Sequence, residues 1–185
     1  MEEDAETDVE FIDVGGLAFT FEEHERLKSL LHGDLFQALA FSDRRYLVLG
    51  AGGDDDVAAR RMTVYDRLGA RGDAVSFRLE ELGLTPDELA LWAAAYEQLC
   101  ATATHIVLVI EDYDGGYVWE LGYLFHESIR EKVWVLKREY GSDDCNRKYY
   151  DNGMAASHLR LLEHADRTIT WQDEHELTAG VRDIP

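Results

Sequence analysis

The stretch that decides the fold reads Thr104-His105-Ile106-Val107-Leu108-Val109-Ile110, then Glu111-Asp112-Tyr113-Asp114-Gly115-Gly116, then Tyr117-Val118-Trp119-Glu120-Leu121-Gly122-Tyr123-Leu124. Its unbroken apolar run predicts a strand that is buried on both faces, as in a parallel sheet. An acidic turn with two glycines follows the strand. The apolar spacing after the turn predicts one helix, whose buried side contains Val118, Leu121, Leu124, Phe125 and Ile129.

Four more predicted strands alternate with helical patterns along the rest of the chain. These strands are Arg45–Gly50, Asp73–Leu79, Val133–Leu136 and Thr168–Trp171. Such alternation predicts the α/β class: a doubly wound, five-stranded parallel sheet with the flavodoxin-like order 2-1-3-4-5. In that order the switch point lies between strands one and three, beside Gly50–Gly53 and Asp112–Glu120, and open α/β sheets bind their ligands there.

Residues 1–41 precede this alternation and are predicted to form an acidic tail and an accessory helical segment, while residues 42–185 form the α/β domain. Thr20-Phe21-Glu22-Glu23 fits a capping box, in which Thr20 is the N-cap of a helix. Thr85-Pro86-Asp87-Glu88 predicts a second helix start, with Thr85 as the N-cap and Pro86 in the first turn.

The charge of the chain limits its partners. The 185 residues include 38 acidic and 18 basic residues, which gives a formal net charge of −20. Such a surface argues against general nucleic-acid binding, which depends on clustered Lys and Arg. Because 46% of the residues are hydrophobic, the carboxylates must cover a folded surface. This pattern is typical of halophilic proteins, in which salt screens the self-repulsion.

Targeting and cysteine patterns predict a cytoplasmic protein. The N-terminus has neither the basic nor the apolar region of a signal peptide. No apolar run approaches the roughly 18 residues that a membrane-spanning helix needs. The two cysteines, Cys100 and Cys145, form no disulfide framework and lack metal-ligand spacing, and Cys100 is predicted to lie in the core.

The glycine turn after the first predicted strand is one candidate ligand contact. Gly50, Gly52 and Gly53 can let the backbone approach a ligand closely. However, the G-x-G-x-x-G spacing is absent, and Asp54–Asp56 would repel a phosphate. The alternative role of these aspartates is to cap the following helix and to complement its dipole.

Asp114 and Glu120 are the candidate catalytic pair. They lie six residues apart across the Gly-Gly turn, so both can line one crevice at the start of the helix. Cleavage of a glycosidic bond needs two such groups, one as the nucleophile and one to assist the leaving group. The alternative is that Asp114 caps the helix and Glu120 is a surface residue.

The run from Asp114 to Tyr123 resembles the signature of the nucleoside 2-deoxyribosyltransferase family: an Asp, a Gly-containing turn, then Glu-Leu-Gly-Tyr opening a helix. The resemblance extends loosely over residues 45–136. Gly122 fits it, because a helix that packs closely on a sheet needs a small residue at that position. It implies that Glu120 takes the sugar as the nucleophile and that Asp114 assists. It also implies a nucleoside, nucleotide or NAD-like ligand, no metal or other cofactor, and a homo-oligomer.

The chain departs from this family in three places. Thr104-His105 replaces the usual Asp before the third strand, Gly50-Ala51-Gly52-Gly53 replaces a Gly-Pro turn, and Tyr117 stands where a Thr is common. The arrangement is also similar to Toll/interleukin-receptor-like NAD-cleaving domains. Both groups break a bond between ribose C1′ and a base. The alternative function is a non-catalytic domain of the same fold that senses a nucleotide or binds a protein.

The remaining predicted contacts lie near the turn and in a polar segment after the fourth strand. Asp112, Gly116 and Tyr117 flank the candidate carboxylates and are predicted to contact the ligand. The segment from Glu139 to Asn152 is predicted to be a loop or a lid. Its Arg147 and Tyr149 are candidates for closing on a phosphate and a base, and the alternatives are ordinary packing or an oligomer contact.

Overall fold

A five-stranded parallel sheet with order β2-β1-β3-β4-β5 forms the centre of the protein. This computed structural model describes residues 19–53, 55–113, 117–150 and 153–185. The strands are β1 (Arg44–Gly50), β2 (Ala74–Phe77), β3 (His105–Ile110), β4 (Val133–Arg138) and β5 (Thr168–Trp171). The predicted fold class and strand order are therefore confirmed, and the arrangement is flavodoxin-like. Residues 1–18, which include the predicted acidic tail, lie outside the described residues.

Helices precede the sheet and connect its strands. They are α1 (Phe21–Leu31), α2 (Asp34–Ala40), α3 (Asp56–Gly69), α4 (Leu89–Thr102), α5 (Tyr117–Tyr123), α6 (Glu127–Arg130), α7 (Asp143–Tyr149), α8 (Gly153–His164) and α9 (Glu174–Gly180). Short 3-10 turns cover Leu79–Leu82 and Val181–Asp183. The capping box predicted at α1 is confirmed, because the Thr20 hydroxyl accepts from Glu23 N and the Glu23 carboxylate accepts from Thr20 N.

The sheet separates two apolar cores. On one face, side chains of β1 and β3 such as Leu47 and Ile106 pack with α1, α2, α4, α5 and α8. On the other face, Val48 and Val107 pack with α3 and α9. Successive strand residues point to opposite faces, so the continuous apolar runs supply both cores. Helices α3 and α5, which follow β1 and β3, consequently lie on opposite sides of the sheet.

The helix predicted from Val118 to Ile129 is wrong in its extent. Helix α5 ends at Tyr123, and the separate short helix α6 begins at Glu127. Phe125 lies between them and is exposed, although Leu121 and Leu124 are buried as predicted.

The helix start predicted at Thr85 is also wrong, since α4 begins at Leu89. Glu88 forms a separate turn with Thr85, donating its N–H to the Thr85 carbonyl and accepting from Thr85 N at 2.7 Å. The local capping interaction therefore forms, but it closes a turn that precedes the helix.

The polar segment after β4 is not a plain loop, because it contains α7. Ser142 caps this helix by accepting from Cys145 N. Tyr140 stacks on Tyr149 at a centroid distance of 4.3 Å, and the Tyr149 carbonyl accepts from Tyr113 N at 2.8 Å. Helix α7 is therefore tied to the segment that follows β3.

Two further findings concern the cysteines and the membrane. Cys100 is buried in the core, as predicted, whereas Cys145 is exposed on α7. Within the described ranges, none of the helices has the length and apolar character needed to cross a bilayer.

Candidate functional site

A cleft of about 490 Å³ opens at the carboxyl ends of β1 and β3, where these neighbouring strands send their helices to opposite faces. This is the switch point at which open α/β sheets bind ligands. Of the residues proposed from the sequence, the cleft brings together Gly50, Gly52, Asp112 and Glu120. The other described residues that line it are Leu49, Ala51, Asp55, Val57, Arg61, Leu79, Glu80, Trp92, Val109 and Glu111.

Gly50 allows β1 to turn sharply into the cleft. Its φ is +143°, and a Cβ at this position would lie 2.6 Å from the Val109 carbonyl oxygen on β3. A side chain here would therefore collide with backbone as well as strain φ. The backbone of β1 and β3 can approach closely at the base of the cleft only because residue 50 is glycine.

An aspartate caps the N-terminus of α3. Asp55 Oδ1 accepts from Ala58 N at 2.9 Å and caps the helix. Of the two roles considered for these aspartates, capping is therefore observed for Asp55, while Asp54 lies outside the described residues. A helix N-terminus attracts anions through its unpaired amides. Here a carboxylate of the chain already occupies that position beside the cleft.

Glu120, in the first turn of α5, carries the most strongly perturbed carboxyl group in the cleft. The pKa of Glu120 is raised to about 7, mainly by burial and secondly by the nearby charge of Glu80, while Arg61 opposes the rise. Tyr96 supports this position, since its hydroxyl donates to the Glu120 carbonyl at 3.3 Å. A carboxyl group with a pKa near neutrality, placed in a cleft, is a candidate for chemistry.

Arg61 and Glu80 form an ion pair at the side of the cleft. Arg61 Nη2 donates to Glu80 Oε1 at 2.6 Å, and Nη1 donates to the Gly50 carbonyl at 3.2 Å. The Arg61 side chain is only 7% exposed, and its Nε has no hydrogen-bond partner among the described residues. Arg61 thus joins the glycine turn to the segment after β2 and places a cation beside Glu120.

Glu111 follows β3 directly and is held by two arginines. Its carboxylate accepts two hydrogen bonds from Arg60 and one from Arg138. The Tyr140 hydroxyl donates to the Glu111 carbonyl at 2.8 Å. The hydrogen bond from Arg60 to Glu111 raises the pKa of Arg60 above its usual value, against the opposing effect of burial. This network fixes the carboxyl end of β3 where it forms part of the cleft.

Several predicted contacts do not join the cleft. Gly53 adopts a φ of +117° in the turn, but it does not line the cleft. Arg147 and Tyr149 lie on α7 and do not line the cleft, and their contact with a ligand stays a prediction. Their helix is held by tyrosine stacking and by the hydrogen bond to Tyr113. Tyr117 is the first residue of α5.

Two predicted residues, Asp114 and Gly116, lie outside the described residues, so the structure does not place the partner carboxylate. Gly122 was expected to permit close packing of its helix on the sheet, and that expectation is wrong. Gly122 is exposed, and a Cβ built on it meets no atom within 4 Å.

Three residues that line the cleft were not predicted as site residues from the sequence: Arg61, Glu80 and Trp92. Arg61 belongs to α3, Glu80 to the turn after β2, and Trp92 to α4, so only the tertiary fold brings them to Glu120. A buried position in the apolar pattern of α3 was the signal that could have identified Arg61, because a charged residue there requires a partner.

Comparisons with known proteins give a distant structural match. No protein-family model and no curated protein matches the chain. A solved structure described as a conserved protein from Enterococcus faecalis V583 superposes with a TM-score of 0.49 and 12% sequence identity. The superposition covers 76% of this chain and 98% of that one.

Proposed function

We propose that the protein cleaves or transfers the N-glycosidic bond of a nucleoside, a nucleotide or an NAD-like molecule, with Glu120 as the nucleophile. The observation that carries the proposal is the position of Glu120 in the cleft between β1 and β3, with its pKa raised to about 7. The resemblance of residues 114–123 to nucleoside 2-deoxyribosyltransferases supports the same role and suggests membership of that wider group.

The proposed reaction has two steps. Glu120 Oε attacks C1′ of the sugar, and the bond from C1′ to the base nitrogen breaks, with its electron pair going to the base. The base takes up a proton, and a glycosyl ester remains on Glu120. Water or a second base then attacks C1′, loses a proton to the solvent and releases the carboxylate of Glu120. Asp114 is the proposed partner that assists the leaving base, a role that rests on the resemblance.

The surroundings of Glu120 support this chemistry. A desolvated carboxylate is a stronger nucleophile than a hydrated one, and burial is the largest contribution to its raised pKa. The neighbouring Arg61 guanidinium favours the ionised form and keeps part of the population reactive near neutral pH.

The second candidate is a non-catalytic domain that senses a nucleotide or binds a protein through the same cleft. The raised pKa favours it too, because at neutral pH about half of the Glu120 population would be protonated. A protonated carboxyl group can donate a hydrogen bond to a ribose hydroxyl without attacking C1′. Turnover therefore separates the two candidates.

The test is chromatographic detection of free base from inosine, 2′-deoxyinosine and NAD. We expect the wild type to release base from at least one of them and Glu120→Gln to lose that activity, because the change removes the nucleophile with little change of shape. Glu127→Gln, on the exposed helix α6, is the matched control and should keep full activity. Release by Glu120→Gln at the wild-type rate refutes the catalytic role. Binding without any turnover favours the sensor.

Two further proposals follow from the sequence. A homo-oligomer is implied by the family resemblance, and the exposed Met154 and Leu161 on α8 offer apolar surface for it. Light scattering of the purified protein tests this, and a monomer at all concentrations refutes it. Adaptation to high salt is the second proposal, and the melting temperature measured across a salt series tests it.

A further inference from the structure

Trp92 is the one aromatic residue among the described residues that line the cleft. It lies in the first turn of α4, partly buried, and packs against the same core as Leu79. Both residues line the cleft and come from the segment that joins β2 to β3. This segment thus adds an aromatic ring and an aliphatic side chain to a site that otherwise contains several carboxylates.

The polar atom of Trp92 is already used within the protein. Its indole Nε1 donates to the Thr85 carbonyl at 2.9 Å. The interaction fixes the side chain and leaves it no further conventional donor. What Trp92 can offer a ligand is therefore its ring, which interacts by stacking and apolar contact.

The lining of the cleft contains two kinds of side chain, apolar and charged. Leu49, Val57, Leu79, Trp92 and Val109 supply apolar surface. Asp55, Glu80, Glu111, Asp112 and Glu120 supply carboxyl groups, and Arg61 supplies a cation. A ligand that matches this lining carries both hydroxyl groups and a flat apolar ring, as a nucleoside does.

We propose that Trp92 determines specificity by stacking on the heterocyclic base of the ligand. This inference takes the nucleoside-like ligand from the proposed function, but it does not require turnover. Stacking on an aromatic side chain is available to every base because each has a π face. A purine presents a larger face than a pyrimidine, so the site should prefer purine nucleosides.

Calorimetric titration with adenosine and thymidine tests the proposal in wild-type protein and in Glu120→Gln, which prevents turnover during the measurement. We expect Trp92→Ala to raise the Kd for adenosine by about 5- to 150-fold, the range that corresponds to loss of one stacked base. The increase for thymidine should be smaller. Trp92→Phe keeps a ring but loses the indole N–H, and should raise the Kd for adenosine less than the alanine change does.

Trp119→Ala is the matched control. Trp119 lies beside Glu120 in sequence, is 86% exposed and does not line the cleft, so the change should leave the Kd unaltered. Melting temperatures of all variants identify any that fail to fold. Equal weakening by Trp92→Phe and Trp92→Ala would assign Trp92 a structural role through Thr85 and overturn the proposal.

The remaining outcomes separate this inference from the proposed reaction. An unaltered Kd in Trp92→Ala, with base release that depends on Glu120, refutes the stacking role and leaves the reaction standing. A weakened Kd in Trp92→Ala, with no base release by the wild type, refutes the reaction and leaves the stacking role standing. No binding of either nucleoside by the wild type overturns the stacking role.

Discussion

The guanidinium of Arg60 and the carboxylate of Glu111 form a bidentate ion pair through two hydrogen bonds, with distances of 2.6 Å from Nε to Oε1 and 2.8 Å from Nη2 to Oε2. The Glu111 side chain is 3% exposed. Arg138 donates a third bond at 2.5 Å to the same carboxylate. Because Arg60 lies on α3 and Arg138 on β4, one buried side chain connects three elements at the edge of the cleft.

Glu111→Gln should destabilise the protein. The change leaves two arginines without their anion, and breaking a buried ion pair costs about 3–5 kcal/mol. We expect the free energy of unfolding from urea titration to fall by that order. Glu163→Gln is the control, because it breaks the more exposed pair with Lys137 and should cost less than about 1 kcal/mol. Equal effects of the two changes would contradict the structural role of Glu111.

The fall of kcat/KM at low pH, the acid limb of the pH profile, should reflect protonation of Glu120. The nucleophile acts as a carboxylate, and its pKa is raised to about 7. Therefore kcat/KM should rise as the pH increases through about 7, and activity should fall as the pH drops below about 7. Glu80→Gln removes a charge that raises this pKa, so the limb should move to lower pH. Glu81→Gln, at the adjacent position outside the cleft, is the control in the same assay. A limb that stays in place or moves to higher pH in Glu80→Gln rejects the assignment.

A phosphate on the ligand should weaken binding. Asp55 caps α3 at the cleft, and Asp112 and Glu120 lie in the same lining, so an added anion meets carboxylates. We expect adenosine 5′-monophosphate to bind at least about tenfold more weakly than adenosine at low salt, a difference of about 1.4 kcal/mol. Asp55→Ser keeps a capping side chain without its charge and should narrow that difference. Tighter binding of the monophosphate by the wild type would refute this charge argument.

Salt should stabilise the fold. With a net charge of −20, repulsion between carboxylates opposes compaction, and about 1 M salt shortens the Debye length to about 3 Å. We expect the melting temperature in KCl to rise steadily from low to molar concentration. A melting temperature that does not rise over this series contradicts the adaptation to high salt proposed from the sequence.

The order of the sheet could be predicted because each strand is a short apolar run bounded by turns, and such runs have few other stable arrangements. The same reasoning located Gly50 and Glu120 at the switch point. It did not identify Arg61 or Trp92, because Trp92 fits an ordinary core position in its helix, and only the tertiary fold brings Arg61 to Gly50 and Glu80. Gly122 was misinterpreted for a related reason: sequence alone cannot distinguish a glycine in close contact from one beside open space.

Mass spectrometry of the protein after reaction with 2-deoxy-2-fluoro nucleosides tests most directly whether Glu120 is the nucleophile. Fluorine at this position disfavours the oxocarbenium-like transition state and slows loss of the glycosyl group from the enzyme. We predict that the wild type gains the mass of one glycosyl group, that the modified peptide contains Glu120, and that Glu120→Gln gains nothing. An adduct on another residue, or neither an adduct nor free base from the wild type, would show that Glu120 is not the nucleophile.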